Sequence, residues 1–256
     1  MSESKGKRAV AVLAALLLLS GGVTLFYPSL NGLRVDYTMR RDAQAFLSYV
    51  EVKPFTPGES MSSESVPQEG AEEAAPPTEH TQLWLDMKAY NEAIFREGQT
   101  GLSDPSAYEK APFALSDYGL GSEVFGVLSI PRLSLEMPIY LGASKQNMAN
   151  GAAVMGQTSL PIGGSNTNCV LAGRRGWNGA AYFLYINQLE PGDVVTVTNL
   201  WETLTYEVVE TQIISPNDVE AIHIQPNREL LILLTCHPPA SGGKQRYLVF
   251  CERTYL

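Results

Sequence analysis

Three textures of hydrophobic and polar residues follow one another along the chain. Ala9 to Tyr27 (AVAVLAALLLLSGGVTLFY) holds 19 residues without a charge, preceded by Lys5, Lys7 and Arg8. At 1.5 Å per residue such a helix matches a hydrocarbon core of about 30 Å. Cations before the run and a large polar region after it place the N-terminus in the cytoplasm and the rest outside. The competing reading is a cleaved leader, with Ser20-Gly21-Gly22 as small residues for cleavage. The length of the run favours an uncleaved single-pass anchor.

A mixed texture follows. Leu33 to Val50 carries Val35, Met39, Ala43, Phe46 and Leu47 at loosely helical spacing, which predicts a juxtamembrane helix. Lys53 to His80, rich in Pro, Ser, Glu and Ala, has little that could form a core and is read as a solvated tether. Thr81 to Glu97 is amphipathic, with Leu83, Met87, Tyr90, Ile94 and Phe95 on one side, and predicts a helix packed on the main domain. Gly98 to Gly121 is loop-like and holds Asp104-Pro105 and Pro112-Phe113.

From Val124 onward the pattern shortens to β-branched runs separated by Gly, Pro and Asn. They are Val124–Ile130, Leu135–Leu141, Thr167–Ala172, Val194–Thr198, Thr203–Ile214, Leu230–Thr235 and Tyr247–Cys251. Short strands this closely spaced predict an all-β barrel or sandwich with short helices, here at Ser144–Ala152 and Ala180–Leu189. Gly192-Asp193 makes the turn into one of the strands. The organisation expected is a cytoplasmic tail and anchor (1–28), a juxtamembrane helix and acidic tether (29–80), a helical extension with a lid-like loop (81–122), and a catalytic domain (123–256).

Charge alters this picture little. The chain of 256 residues has 18 Lys plus Arg against 27 Asp plus Glu, a net charge of −9. Six glutamates (Glu59, Glu64, Glu69, Glu72, Glu73, Glu79) lie between Pro57 and Glu79 with no cation, so the remainder carries only −3. Nucleic acid is excluded as a partner, because phosphate neutralisation needs a cationic face. Three cysteines exclude a disulfide scaffold, and no His/Cys spacing predicts a metal site.

Cysteine chemistry is the strongest candidate. Cys236 ends an apolar run and precedes His237-Pro238-Pro239, so a thiol there would face a groove where pairing stops; the bland alternative is a buried apolar residue. Cys169 and Cys251 lie inside strand-like runs and read as core residues, with a bridge between them left open. A cysteine nucleophile needs a group that stabilises the thiolate and protonates a leaving amine. The histidines offer little. His80 falls in the tether, His223 reads as surface, and His237 adjoins Cys236 and so points to the opposite face of an extended chain.

The stretch from Phe125 to Arg253 resembles the sortases, the membrane-anchored cysteine transpeptidases of Gram-positive bacteria. The matching pieces are Ile130-Pro131, Pro138-Ile139-Tyr140-Leu141-Gly142, Gly151-Ala152, Gly156-Gln157-Thr158-Ser159-Leu160-Pro161 and Asn166-Thr167 through Leu171. They continue with Gly173-Arg174-Arg175-Gly176, Leu189 to Asp193, Leu234-Thr235-Cys236 before Pro238, and Arg246 opening the last strand. About half the chain is covered, in the family's order. The resemblance implies an eight-stranded β-barrel, no cofactor, and cleavage of an LPXTG-like sorting signal on surface-protein or pilin substrates. The acyl group would pass to an amine, a pilin lysine or a peptidoglycan precursor. Cys236 matches the nucleophile and Arg246 the arginine that steadies the substrate oxyanion. Arg174 stands where the family carries its catalytic histidine. The subgroup it resembles is class C, the pilin-polymerising sortases, whose lid carries Asp-Pro-aromatic over the active site. Asp104-Pro105 match that lid, but Ser106 replaces the aromatic and Tyr108 is the nearest one. Two readings follow: a transpeptidase anchored in the cell membrane, and a non-catalytic scaffold or regulator that binds sorting signals or pilins.

Overall fold

A computed structural model describes residues 2–52 and 79–255, without the side chains of residues 2–12, Val52 and Pro105. The expected tether falls, except for its last two residues, outside the described residues.

Eight strands close into a barrel: β1 (Val124–Ile130), β2 (Leu135–Leu141), β3 (Ala152–Val154), β4 (Thr167–Ala172), β5 (Val194–Thr198), β6 (Thr203–Ile214), β7 (Glu229–His237) and β8 (Gln245–Arg253). Their order is β1-β2-β3-β4-β7-β8-β6-β5, with β5 pairing back to β1. The β2/β3 and β4/β7 pairs are parallel and the others antiparallel. The expected all-β barrel with short helices is thus observed.

Alternation explains which residues fill it. On β7, Leu231 and Leu233 join the interior with Leu171, Phe183, Val195, Leu204 and Val249. Ile232 points out, joining Val170, Ala172, Leu248, Phe250, Ile214 and Ile222 in a second cluster under the β6–β7 connection and the segment around Leu102. The strand is therefore buried on both faces, which is why its sequence reads as a continuous apolar run rather than alternating.

Five of the expected strands have the observed bounds, and two are longer: β7 runs on through Cys236 to His237, and β8 spans Gln245–Arg253. The pattern misses β3, only three residues long, which takes Ala152 from the helix expected at Ser144–Ala152 and leaves α3 as Asn147–Asn150. The helix expected over Ala180–Leu189 is replaced by a tight turn and a 3-10 turn at Ile186–Gln188. Its start cannot be helical, since Asn178, Gly179 and Tyr182 all hold positive φ and Phe183 turns inward to fill the barrel.

Helix α2 (Thr81–Arg96) buries Leu83, Met87 and Ile94, as its periodicity requires. Phe95 departs from expectation: it is exposed, and the buried position between Met87 and Ile94 is Asn91. Asn91 is satisfied at both ends, its Nδ2 donating to the Leu160 carbonyl (3.1 Å) and its Oδ1 accepting from the Leu160 N–H (2.8 Å).

The segments expected as anchor and juxtamembrane helix form one helix, α1 (Ser2–Val52), which continues through Pro28. Its far half lies on the barrel: Ala43 and Phe46 pack with Val124, Val127 and Tyr140, and Met39 joins the interior cluster. An interior proline costs a helix about 3 kcal/mol. The packing of α1 on β1 and β2 offsets that cost.

Candidate active site

The end of β7 and the start of β8 build the site. Beyond Ile232, the outward positions of β7 are Leu234 and Cys236; their partners on β8 are Leu248 and Arg246. Cys236 is exposed because the covering cluster stops one step earlier. Register thus places Cys236 and Arg246 side by side, although ten residues separate them. The connecting loop fixes the pair further. Gly243 holds φ +81, and a Cβ there would lie 3.4 Å from Cys236 Sγ and 3.0 Å from Arg246 Nη1. Arg246 Nη1 also donates to the Gly243 carbonyl at 2.8 Å. Glycine takes this left-handed backbone without strain and leaves the space that a Cβ would crowd.

Cys236 and Arg246 line a groove of about 420 Å³. Its floor is apolar, from Met148, Met155, Ala172, Ile222 and Leu234, with Asp218 and Glu109 also on its walls. Such a trough suits an extended peptide with apolar side chains.

The lid segment splits into two parts. Asp104 is exposed and turned on its own loop, Oδ1 accepting from the Ser106 N–H (2.9 Å) and hydroxyl (2.8 Å). Those bonds hold its carboxyl below the ordinary carboxylate range. Asp104 does not line the groove, whereas Tyr108 does, and the Pro105 side chain lies outside the described residues. The Tyr108 carbonyl accepts from Ala143 N–H (2.8 Å) and Gly156 N–H (3.0 Å), and its hydroxyl donates to the Leu102 carbonyl at 2.6 Å. Burial raises the Tyr108 phenol, with Asp104 adding and the Arg246 charge opposing.

The Gly173–Gly176 segment enters beside Cys236 because Gly173 extends the β4/β7 pairing: its N–H donates to Leu234 (3.0 Å) and its carbonyl accepts from Thr235 Oγ1 (2.7 Å). A side chain at Gly173 would strike the Phe183 ring. The two arginines then diverge. Arg174 turns to the loop before β3, donating to the Met148 and Lys145 carbonyls (both 3.1 Å), and its guanidinium lies 5.4 Å from the Trp177 ring. Arg175, absent from the sequence-derived candidates, lies 5.2 Å from the Tyr247 ring and donates to Asn187 Oδ1 at 2.9 Å. Its Nε and Nη1 are buried without a hydrogen-bond partner. Burial lowers its titration, and electrostatic interaction with Tyr247 and Cys236 opposes that. Only the Arg174-Arg175 doublet in the sequence could have pointed to it.

Among the described residues, no histidine lines the groove. His237 stands 5.8 Å from the Tyr247 ring with Nδ1 buried and unpartnered, His223 pairs with Glu220 (3.0 Å), and His80 meets Tyr49 (3.2 Å). Cys169 and Cys251 are buried free thiols, both pushed up by burial. A bridge between them is excluded, because each pairs with Leu231 from opposite sides. Two strand spacings of ~4.8 Å exceed the reach of a disulfide. No group of three His, Cys, Asp or Glu among the described residues could hold a metal.

Comparison with known proteins places this geometry. Residues 128–254 match the sortase domain family. Sortase D of Bacillus subtilis (strain 168) is 31% identical over 130 residues, covering 50% of this chain and 63% of that protein. The chain therefore spans less than two thirds of that relative's length. Among solved structures, sortase C1 of GBS Pilus Island 1 superposes with a TM-score of 0.65 at 22% identity, covering 85% of this chain and 93% of that one. Sortase C of Clostridium perfringens, solved with the C-terminal cell wall sorting motif, gives 0.61 at 27% identity, covering 84% and 99%.

Proposed function

This chain is a member of the sortase family, and on that premise we propose that it is a membrane-anchored cysteine transpeptidase of the class C type. Its substrates would be proteins bearing an LPXTG-like sorting signal, cleaved between Thr and Gly and passed to an amine of a pilin lysine or a peptidoglycan precursor. The observation that carries this reading is the Cys236–Arg246 pair, aligned by register at the end of an apolar groove. The sorting motif in the C. perfringens sortase C structure supports the peptide class. The charge-free run of α1, with Lys5, Lys7 and Arg8 before it, supports an anchor with a cytoplasmic N-terminus and an extracellular barrel.

In the proposed reaction the Cys236 thiolate attacks the Thr carbonyl. The S–C bond forms, oxyanion character develops beside the Arg246 guanidinium, and the Thr–Gly C–N bond breaks as the amine takes a proton. The neutral acceptor amine then attacks the thioester, the C–S bond breaks to return the thiolate, and the amine's surplus proton passes to water as the new amide forms. Arg174, in the histidine's slot, cannot shuttle that proton, because a guanidinium stays protonated throughout the working range. The proton must come from water reaching the open groove. General acid–base catalysis contributes about 100- to 10,000-fold. A slow enzyme follows from that loss.

The test is mass spectrometry of the full chain in detergent with an LPXTG-like peptide. A peptide adduct on Cys236 is expected to accumulate slowly, to be absent in Cys236→Ala, and to form faster in Arg174→His by roughly 100-fold. An adduct that persists in Cys236→Ala removes the nucleophile assignment. The second reading, a non-catalytic scaffold, is favoured by the lack of a groove histidine among the described residues. Peptide binding without any adduct, in either the native or the Arg174→His chain, would establish it.

A further inference from the structure

The strongly apolar run of α1 ends at Tyr27, the first charge after Arg8 is Arg34, and α1 meets the barrel between the two, at Pro28 to Gly32. A Cβ on Gly179 would overlap the Pro28 carbonyl, and one on Gly32 would overlap the Gly179 backbone, so the two segments touch backbone to backbone. Asn31 Nδ2 adds a hydrogen bond to the Asn178 carbonyl at 3.0 Å. The contacted turn is itself closed: Trp177 N–H donates to the Ala180 carbonyl and Ala180 N–H to the Trp177 carbonyl, both at 3.0 Å. Pro28 to Gly32 lies within roughly 8 Å of the end of the apolar run along the helix axis. The polar layer outside the ~30 Å hydrocarbon core is about that thick on each side.

Two apolar features lie at this level with no protein over them among the described residues. Trp177, at the tip of the turn, is 58% exposed. On α1 itself Leu30, Leu33 and Tyr37 follow one another at i, i+3 and i+7 and are at least 65% exposed, while Gly32, Met39, Ala43 and Phe46 face the barrel. This stripe continues from Phe26 inside the uncharged run, also exposed. Continuity with that run identifies what covers it.

We propose that the Trp177–Ala180 turn and the Leu30–Leu33 part of the stripe sit in the lipid headgroup layer, with Trp177 as an interfacial anchor that holds the groove end of the barrel at the bilayer surface. The inference rests on the anchor reading of α1. Tryptophan suits this layer because its ring is apolar and its indole N–H finds water or headgroup oxygens. The guanidinium of Arg174 beside it brings a cation to the level of the phosphates. Gly173, four residues before Trp177, lines the Cys236 groove. The groove rim is thereby held where substrates and acceptors tethered to the same membrane arrive.

The test uses the full chain in phosphatidylcholine–phosphatidylglycerol vesicles carrying nitroxide lipids, labelled either near the headgroup or near the chain end. Tryptophan emission of the native chain is compared with Trp177→Phe. Trp84 and Trp201 are common to both, so the difference isolates Trp177. The shallow label is expected to quench that difference about twice as strongly as the deep one, as for an interfacial indole. A chain that floats with the vesicles but whose Trp177 emission neither label touches overturns the placement and leaves the anchor standing. Protection of Trp177 that grows with protein-to-lipid ratio overturns it in favour of a second copy of the chain. A chain that does not float overturns the anchor itself, and this placement with it.

Discussion

The two ends of β7 place polar side chains in opposite circumstances. At its start Glu229 is buried and accepts from Tyr206 Oη (3.1 Å), Tyr255 Oη (3.2 Å) and the Gly164 N–H (3.0 Å), with Arg253 Nε at 3.3 Å. At its finish, about 23 Å away by strand rise, Cys236 is exposed beside a guanidinium and an apolar trough. A larger cavity, of about 680 Å³, lies at the Glu229 end, yet the acid there already has donors on every side. Filled coordination accounts for the closed end as structural, and the exposed thiol puts the proposed site at the other. Cavity size alone would have chosen the Glu229 end.

The largest effects separate those ends directly. Glu229→Ala leaves Arg253 with only Glu202 at 3.8 Å and the Thr205 carbonyl at 3.2 Å, and is expected to cost about 3 kcal/mol of stability, read as a lower melting temperature. Cys236→Ala is expected to leave stability within about 0.5 kcal/mol, as for an exposed position, while abolishing the peptide adduct. A Cys236→Ala chain that melts as low as Glu229→Ala would dissolve the contrast.

Next comes Gly243→Ala. Its Cβ would press on both Cys236 Sγ and Arg246 Nη1 in a left-handed backbone. Adduct formation is expected to fall about 100-fold from misplacement of the reacting groups, with a stability loss of only about 1–2 kcal/mol. An unchanged rate would show that the loop does not set the Cys236–Arg246 geometry.

Smaller still is Arg175→Met. A part-exposed charge interaction is worth up to about 1 kcal/mol, so alkylation of Cys236 by iodoacetamide at neutral pH is expected to slow by at most about 5-fold. Arg174→Met should change that rate less, because its guanidinium is committed to the Met148 and Lys145 carbonyls. The reverse ranking would return the thiolate's charge partner to Arg174.

The smallest effect concerns the segment expected as a lid. Asp104 is held below its ordinary titration by Ser106, so its contribution is present above the unfolded carboxylate value near 3.9 and is lost as pH falls through the lower folded one. Hydrogen exchange at the Ser106 amide is expected to accelerate only in that acid range, and Asp104→Ala should remove the pH step. Exchange that is pH-independent once corrected for intrinsic rates would dismiss the cap.

Much of this architecture was legible because it depends on local periodicity. Alternation and turn residues delimit β1, β2, β4, β5 and β6, and the 3.6-residue spacing of Leu83, Met87 and Ile94 marks the buried side of α2. The three-residue β3 and the turn after Gly176 escape such reading. One is too short to show a period, and the other is set by positive φ at Asn178, Gly179 and Tyr182.

By itself, then, the chain's pattern determined an all-β barrel or sandwich of short strands and an apolar N-terminal helix, and the family resemblance singled out one cysteine and one arginine ten residues apart. Tertiary structure decided the rest, because each remaining point turns on which distant segment arrives at a given face. Asn91 is buried and Phe95 exposed because the Leu160 backbone meets α2 at that point. Leu231 stands between Cys169 and Cys251 because β7 runs between β4 and β8. Arg174 and Arg175 part company because alternation beyond β4 sends one toward the Met148 loop and the other toward Tyr247. Neighbouring residues share a sequence position but not a face, and only the packed barrel assigns the faces.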